Sequence, residues 1–434
     1  MPAETREIAV DYLARVEGEG AMYLSLDGDV VTDLQFNIFE PPRFYEAFLQ
    51  GRRHSEAPDI TARICGICPV AYQTSAVNAM EYAAGVTVDP TIRELRRLLY
   101  FGEWIESHTL HVYMLHAPDF LGYPSSIEMA QDHPQTVIDA LRLKRLGNQI
   151  MTTVGGREIH PVNVRVGGFY RAPTRTELEP LLSELRWALG TAKATVDLVA
   201  GFPFPDFEMD YEFVALRHPT EYAIVDGRIA SSGGLDIAVP QWRQHFEEFH
   251  VEWSNALHAR IRGGGRYHVG PMARFTVNHD RLTPEAAEAA ARAGLNEGES
   301  NPFKSIIVRA VEIVLACEEA ITIIENYEAP DPCFEEVEPA DAVGHGASEA
   351  PRGLLYHRYE IDSDGLISNA QIVPPTSQNQ AQIEQDLRRF VDGRTQLDDD
   401  TLQWQLEQAI RNYDPCISCA THFLDLTVDR RGRP

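Results

Sequence analysis

The sequence predicts a mainly α protein of the α+β class, in which a bundle of long helices forms the core and small β-sheets are added to it. Three long segments have apolar residues at helical spacing, namely residues 134–153, 176–200 and 302–326. Strand-like alternation is confined to shorter stretches, near residues 7–39, 221–239 and 353–374. Helices therefore dominate the prediction.

The first elements are predicted to be strands. Apolar residues alternate on both sides of the dipeptide Asp27-Gly28, which favours a tight hairpin turn. Residues 7–39 are therefore predicted to form an antiparallel hairpin or a small sheet. Two prolines follow, and a short helix is expected over residues 43–49.

The next elements are predicted to be helices with clear ends. Pro69 suits the first position of a helix and Gly85 suits its C-terminal cap, so Cys68 is expected at the helix N-terminus. There the positive end of the helix dipole favours a thiolate. A second helix is predicted over residues 89–116. Shorter helices are expected near residues 240–250, 283–294, 380–392 and 399–412.

Composition narrows the possible partners. The chain has 65 acidic and 38 basic residues, a formal net charge of -27, which disfavours nucleic acid and anionic membranes as partners. No run of about 18 apolar residues and no export signal occurs, so a chain without a membrane span, located in the cytoplasm, is expected. With 44% hydrophobic residues, a large core is available.

Six cysteines are too few for a disulfide framework in a chain of 434 residues, and they favour a reducing compartment. Four of them form two C-x2-C pairs, Cys65 with Cys68 and Cys416 with Cys419. Of the other two, Cys317 lies in an apolar helical segment and Cys333 in a predicted loop.

The two pairs supply four thiolates, which suit nickel, iron or zinc. Paired C-x2-C motifs of a structural zinc site are usually about 15 to 20 residues apart in a small module. Here most of the chain lies between the pairs, and the chain is long enough to form its own core. Length alone suggests about three domains, but a site made from both ends predicts one domain over residues 1–434.

At this point the chain resembles a known family. Residues 63–72, RICGICPVAY, and residues 414–422, DPCISCATH, resemble the two cysteine motifs of the large subunit of nickel-iron hydrogenases. Two further stretches match in chain order, RVEG at residues 15–18 and APRG at residues 350–353. The resemblance spans nearly the whole chain, and it implies the fold of that subunit and the reversible, heterolytic oxidation of dihydrogen.

The resemblance also implies a ligand set. Cys65 and Cys416 are expected to bind nickel terminally, and Cys68 and Cys419 to bridge nickel and iron. Carbon monoxide and two cyanides complete the shell of the iron. With both metals divalent, this cluster has about two negative charges, so a nearby cation is expected.

That cation is expected to be Arg352, beside the open position of the centre. A structural arginine paired with Glu349 or Asp119 is the alternative, and the two roles are compatible. Asp119 itself resembles the carboxylate that the family places near this arginine. Glu17 resembles the glutamate that takes the proton from a terminal thiolate; a solvated strand-end glutamate is the alternative.

Other site residues follow from the same motifs. His422 is expected on a separate magnesium or iron ion with Glu46. Thr376, with Pro374 beside it, falls where the family hydrogen-bonds a cyanide. Tyr72 stands where many members have a histidine near a bridging sulfur, and its phenol can donate the same hydrogen bond.

Partners are also implied. The chain has no cysteines to spare for clusters, so a small iron-sulfur subunit is expected, with flavin (FAD) and NAD(P) diaphorase subunits behind it. Residues 349–359, EAPRGLLYHRY, resemble the cytoplasmic NAD(P)-linked or sulfhydrogenase-like branch. Residues 423–434 resemble a tail that a maturation endopeptidase removes; they suit a surface segment equally well.

Three alternatives stay open. Another branch would use a different acceptor, such as a deazaflavin coenzyme, heterodisulfide reductase or quinone. A related quinone-site subunit of respiratory complex I shares the fold but typically lacks the four cysteines. A zinc-stabilised scaffold without catalysis would keep the cysteines. It would not explain why Glu17, Arg352 and His422 also stand at the positions of the family motifs.

Overall fold

The structure, a computed structural model, describes residues 5–421. Its helices are α1 (Tyr45–Leu49), α2 (Ala57–Thr61), α3 (Pro69–Ala84), α4 (Pro90–Thr109), α5 (Ala117–Leu121), α6 (Ser126–Asp132), α7 (Pro134–Gly155), α8 (Arg175–Leu178), α9 (Leu181–Ala200), α10 (Trp242–His245), α11 (Pro271–Asn278), α12 (Pro284–Arg292), α13 (Ser305–Glu325), α14 (Pro375–Val391), α15 (Asp399–Arg411) and α16 (Ile417–Ala420).

The strands are fewer and shorter. They are β1 (Thr5–Val10), β2 (Gly20–Asp27), β3 (Val30–Ile38), β4 (Val164–Arg165), β5 (Gly168–Phe169), β6 (Val214–Arg217), β7 (Arg228–Ser231), β8 (Asp236–Ile237), β9 (Phe246–Phe249), β10 (His258–Ile261), β11 (Ala342–Ala350), β12 (Gly353–Ile361) and β13 (Ile367–Val373). They pair antiparallel as β1-β2-β3, β4-β5, β6-β7-β8, β9-β10 and β11-β12-β13. The predicted class, helices with small β additions, is confirmed.

The long helices α4, α7, α9 and α13 pack together in the centre. Every residue of α13 from 305 to 317 is buried, as is every residue of α4 from 95 to 109. A Cβ on Gly147 would lie 2.5 Å from the carbonyl oxygen of Gly102, so α4 and α7 approach too closely for any side chain there. One hydrophobic core extends from Ile8 to Ala420.

Local signals placed several elements well. The Asp27-Gly28 turn joins β2 and β3, with Gly28 at φ 62°. The third helix begins at Pro69 and ends before Gly85, which is left-handed at φ 68°. Asp89 caps α4 by accepting from the Thr91 N–H at 2.8 Å. These features depend on a few adjacent residues, which is why the sequence predicts them.

Other helices and strands were predicted with the wrong boundaries or not at all. The helix expected at 240–250 is confined to α10, because Phe246–Phe249 pairs with β10 as a strand. The segment 176–200 is divided between α8 and α9 at Pro180, which lacks an amide hydrogen. The helix expected at 380–392 begins at Pro375. The sequence did not predict strands β4, β5, β6, β10 and β11.

The two ends of the chain meet beside one another. Glu17 and Cys416 form an isolated parallel bridge, in which the Ile417 N–H donates to the Glu17 carbonyl at 2.9 Å. Gly18 makes this possible, since a Cβ there would lie 2.7 Å from the Cβ of Ile417. Farther on, the Arg43 N–H donates to the Thr421 carbonyl at 2.6 Å. Between residues 5 and 421, no helix is long and apolar enough to cross a membrane.

Candidate metal centre

The four paired cysteines lie together. The sulfurs of Cys65, Cys68, Cys416 and Cys419 are all within 4.8 Å of one another, and each residue is no more than 4% exposed. The Sγ–Sγ distances are 3.5 Å between Cys65 and Cys416, 3.6 Å between Cys68 and Cys419, and 2.7 Å between Cys416 and Cys419. Most of the chain separates the two pairs, so the fold itself creates this cluster.

Each pair is held by backbone structure. Cys65 follows a 3-10 turn at Ala62–Ile64, and Cys68 is the N-terminal cap of α3. The Ile67 and Cys68 N–H groups donate to the Cys65 sulfur at 3.3 and 3.4 Å. These amides and the N-terminus of α3 favour negative charge on sulfur.

The second pair starts the short helix α16. Cys416 is its N-terminal cap, and its N–H donates to Thr376 Oγ1 at 2.9 Å. Thr376 stands at the start of α14, where it can reach Cys416 because α14 begins at Pro375. The hydroxyl of Thr376 thus fixes the backbone of one sulfur ligand.

The cluster favours a cation on electrostatic grounds. Burial raises the pKa of both Cys416 and Cys419, so the thiols resist ionisation when no cation is near. A bound divalent metal reverses this, because it stabilises thiolates directly. Four buried, soft sulfur donors at this spacing fit nickel, iron or zinc.

Arg352 supplies a fixed positive charge beside the sulfurs. It is 2% exposed, and its Nε and Nη2 donate to the carbonyl and Oδ1 of Asp414 at 2.8 and 3.1 Å. Burial alone would lower the pKa of Arg352, but Asp414 and the sulfurs raise it, so the guanidinium stays charged. Its Nη1 has no hydrogen-bond partner within residues 5–421. A buried donor of this kind fits a bound anionic group next to the sulfurs.

Glu17 contacts both a sulfur and the backbone. The Cys416 thiol donates to Glu17 Oε2 at 3.1 Å, and the Ser418 N–H donates to the same oxygen at 3.1 Å. Burial, followed by the charge at Cys65, raises the pKa of Glu17. A carboxyl with a raised pKa is better matched to a thiol as a proton partner.

Comparison with known proteins agrees with this geometry. The family model described as nickel-dependent hydrogenase matches residues 43–138 and 261–422. The sulfhydrogenase 1 subunit alpha of Pyrococcus furiosus is 36% identical over 424 residues, covering 96% of this chain and 98% of that protein. The chain belongs to the nickel-dependent hydrogenase family.

Further relatives support the same assignment. The NAD-reducing hydrogenase HoxS subunit beta of Cupriavidus necator is 27% identical over 476 residues, covering 97% of this chain and 95% of that protein. The crystal structure of an NAD+-reducing [NiFe]-hydrogenase in the H2-reduced state superposes with a TM-score of 0.84 at 28% identity, covering 96% and 99% of the two chains. With its four clustered cysteines, this hydrogenase chain is a catalytic large subunit.

In the described part of the chain, Asp119 pairs with arginines other than Arg352. Its carboxylate binds Arg411 at 2.7 and 2.9 Å, and Arg15 at 2.5 Å, whereas Arg352 binds Asp414. The alternative pairing of Arg352 with Glu349 is also wrong, because Glu349 binds Arg274. Asp119 therefore links the start of the hydrogenase chain to α15, and it does not orient Arg352.

Two further residues predicted for the site are described: Tyr72 lies in α3 and Pro374 precedes α14. Tyr72 is 1% exposed, and its hydroxyl has no hydrogen-bond partner within residues 5–421. Burial, and then the sulfurs of Cys419 and Cys68, raise the pKa of Tyr72, so the phenol stays protonated and able to donate. Pro374 is the N-terminal cap of α14, two residues before Thr376.

The expected second metal site is only partly described. Glu46 Oε1 accepts from the Ile372 N–H at 2.7 Å, and burial raises the pKa of Glu46 to about 8. A buried carboxyl of this kind suits a hard cation, which would restore its negative charge. His422 and the tail 423–434 lie outside the described residues.

Sequence reasoning missed two carboxylates near the centre. Asp414 stands directly before Pro415 in the last motif, with φ at 51°, and it holds Arg352. Its place directly before Pro415 and Cys416 is the sequence feature from which its role could have been predicted. Glu103 accepts from the N–H groups of Val70 and Ala71 at 2.6 and 3.2 Å, and so fixes the start of α3. Nothing local in α4 signals that role.

Proposed function

We propose that this large subunit catalyses the reversible, heterolytic oxidation of dihydrogen and passes the electrons to a small iron-sulfur subunit. The observation that supports this most strongly is the cluster of four buried sulfurs in a chain of the nickel-dependent hydrogenase family. Glu17 and Arg352 border the same cluster, one as a proton acceptor and the other as a cation.

The residues that would hold the centre follow the motif order. Cys65 and Cys416 would be ligands of the nickel, and Cys68 and Cys419 would be ligands shared with an iron, whose carbon monoxide and two cyanides no side chain supplies. When bound, the nickel-iron centre supplies a Lewis-acidic, redox-active site at which dihydrogen is cleaved heterolytically. Tyr72 and the free Nη1 of Arg352 are buried donors facing this region, suited to anionic ligands. Thr376 and Pro374, at the start of α14, complete the cyanide environment.

Proton transfer begins at Cys416. Its sulfur is 3.1 Å from Glu17 Oε2, within range for direct transfer. The Ser418 N–H donates to Glu17 and holds its carboxylate in place, while the Ser418 hydroxyl donates to Glu40 Oε2 at 3.0 Å. Glu40 is partly exposed and is the next carboxylate toward solvent after Glu17.

A second cation, magnesium or iron, would bind at Glu46 together with His422. The support is the buried Glu46 carboxyl beside strand β13. Such an ion would fasten the C-terminal motif to the N-terminal part of the chain. Removal of residues 423–434 by a maturation endopeptidase would leave His422 at the new C-terminus.

Electrons need a partner subunit. The remaining cysteines, Cys317 and Cys333, belong to no cluster of metal-ligating side chains within residues 5–421. Two relatives are named for NAD reduction, and one is a sulfhydrogenase subunit. By analogy, the complex would contain iron-sulfur clusters, FAD and an NAD(P) site on its other subunits, in the cytoplasm. All six cysteines are free of disulfides, which suits that compartment.

Metal analysis combined with infrared spectroscopy of the purified complex tests the proposal. Nickel and iron, with bands from intrinsic carbon monoxide and cyanide, are the expected result. Zinc alone, without those bands in fully matured protein, would contradict it. NADP+ and NAD+ reduction by dihydrogen in the same preparation then identifies the acceptor.

A further inference from the structure

Arg352 stands on a tight turn whose position decides where its charge lies. Strand β11 ends at Ala350 and strand β12 begins at Gly353, and these two residues pair directly. Only Pro351 and Arg352 form the tip of the turn. Gly353 has φ at 131°, a conformation that favours glycine. A small shift of this tip would move the guanidinium relative to the four sulfurs.

A second buried arginine, Arg274, holds the backbone of that turn. Its Nη1 donates to the Ala350 carbonyl at 2.8 Å, and its Nη2 donates to the Pro351 carbonyl at 2.9 Å. Helix α11, which contains Arg274, begins against the same turn: a Cβ on Gly270 would lie 3.0 Å from the carbonyl oxygen of Arg352. Arg274 thus contacts both peptide groups immediately before Arg352.

Arg274 is itself fixed in place. It is fully buried, and its Nε and Nη2 donate to the two carboxylate oxygens of Glu312 at 2.8 Å each. Its Nη1 also lies 3.3 Å from Glu349 Oε2. The ring of Trp104 lies 4.5 Å from its Cζ, and the indole N–H donates to the Glu349 carbonyl at 3.0 Å. Glu312 comes from helix α13, in which every residue from 305 to 317 is buried.

This arrangement needs the geometry of arginine. One planar guanidinium reaches two successive carbonyls and a bidentate carboxylate at the same time, which a lysine ammonium cannot do. Among residues 5–421, Asp414 is the one partner to which the side chain of Arg352 donates hydrogen bonds. Asp414 therefore holds the side chain of Arg352, and Arg274 holds the backbone of the turn that carries it.

We infer that Arg274 is a positioning residue for hydrogen turnover: by holding the carbonyls of Ala350 and Pro351, it keeps the guanidinium of Arg352 beside the four cysteine sulfurs. The inference rests on the proposed function of Arg352. A residue that acts through Arg352 must lose its effect on turnover once Arg352 no longer provides the guanidinium.

The test is a double-mutant cycle on the assembled enzyme, with R274K, R352K and the double variant. R274K keeps the buried charge and removes the fork that binds the two carbonyls. Arg96 offers a matched control, since it is 4% exposed and bidentate to Glu81 at 2.6 and 2.9 Å. R96K therefore removes a similar buried fork elsewhere. Turnover of dihydrogen, metal content and amide hydrogen exchange of residues 350–354 are measured for each.

R274K should lower kcat by about 10- to 100-fold with normal nickel content, because the reacting groups are displaced by a fraction of an ångström to 1 Å. In the R352K background the same change should alter kcat less than about 2-fold. Exchange of the 350–354 amides should accelerate in R274K and not in R96K. Equal losses in both backgrounds, or unchanged exchange, would overturn the inference.

Two further outcomes are separable. Should the R274K enzyme fail to assemble, W104F is measured instead, because this change removes the indole bond to Glu349 beside Arg274. The loss of turnover in W104F should then be smaller in the R352K background. Equal losses in both backgrounds overturn the inference. Absence of hydrogen turnover in the unaltered enzyme would refute the proposed function. In that case, amide exchange of residues 350–354 still decides whether Arg274 holds the turn.

Discussion

Replacing Glu17 by glutamine should block proton exit while leaving the metal centre in place. The glutamine side chain has nearly the same shape, and its amide oxygen can still accept from the Ser418 N–H, which now lies 3.1 Å from Glu17 Oε2. It cannot accept a proton from the Cys416 thiol. Stability should therefore change by less than about 1 kcal/mol, since one buried hydrogen bond is kept.

The size of the effect on turnover follows from the role of the carboxylate. A positioned proton acceptor contributes about 10²- to 10⁴-fold to a rate, or about 3–5 kcal/mol in the barrier. Glu17→Asp gives a graded comparison. Shortening the side chain by one carbon retracts the carboxylate by up to about 1.5 Å, from 3.1 Å to about 4.6 Å from the Cys416 sulfur. One water must then bridge the gap, so the aspartate variant should keep an intermediate rate.

The assay is hydrogen oxidation by the complex with an artificial electron acceptor, together with exchange of deuterium gas with solvent protons. Both should fall in the order wild type, Glu17→Asp, Glu17→Gln, with nickel content and melting temperature unchanged. Glu19→Gln is the control, because Glu19 is exposed and two residues away. Normal exchange in Glu17→Gln would show that protons leave by another group and would refute the relay.

Three further outcomes are expected. Cys65→Ser should abolish hydrogen turnover and lower nickel content, whereas Cys317→Ser, a buried core change, should lower only the melting temperature. Burial raises the pKa of Asp386 to about 6 from 3.8, so the folded chain binds that proton more tightly, and the free energy of unfolding should fall by about 3 kcal/mol as pH rises from about 4 through 6; Asp386→Asn should remove this slope in denaturant titrations. Glu103→Ala leaves two buried N–H groups of α3 unsatisfied and should cost about 2–3 kcal/mol in urea unfolding, while Glu94→Ala, exposed on the same helix, should cost little.

Features set by neighbouring residues could be predicted from the sequence. The start of α3 at Pro69, its end at Gly85 and the Asp27-Gly28 turn all depend on local backbone preferences. The convergence of the cysteine pairs was predicted for a different reason. Each C-x2-C pair supplies only two sulfur ligands, and a metal site of this kind needs four. The two pairs were therefore expected to meet in the folded chain.

Features set by tertiary pairing could not be predicted. Phe246–Phe249 has helix-compatible residues, and only β10 opposite it makes it a strand. The ion pairs show the same limit. The sequence suggested Asp119 or Glu349 as the partner of Arg352, whereas the partner is Asp414, whose left-handed backbone lies directly before Pro415. The role of Arg274 is equally invisible, because its targets are backbone carbonyls.

The last described residues and the metal centre depend on one another. Residues 414–421 are attached to the rest of the chain by backbone bonds from Glu17 and Arg43 and by the bond from Cys416 to Thr376. These contacts gather four sulfurs, and burial raises the pKa of Cys416 and Cys419, so these two thiols resist ionisation until a metal binds. Metal binding relieves that penalty, so it must stabilise the segment that provides two of its ligands. Contacts between protein groups alone therefore bring the four cysteines together, and a bound metal would hold residues 414–421 more firmly against Glu17.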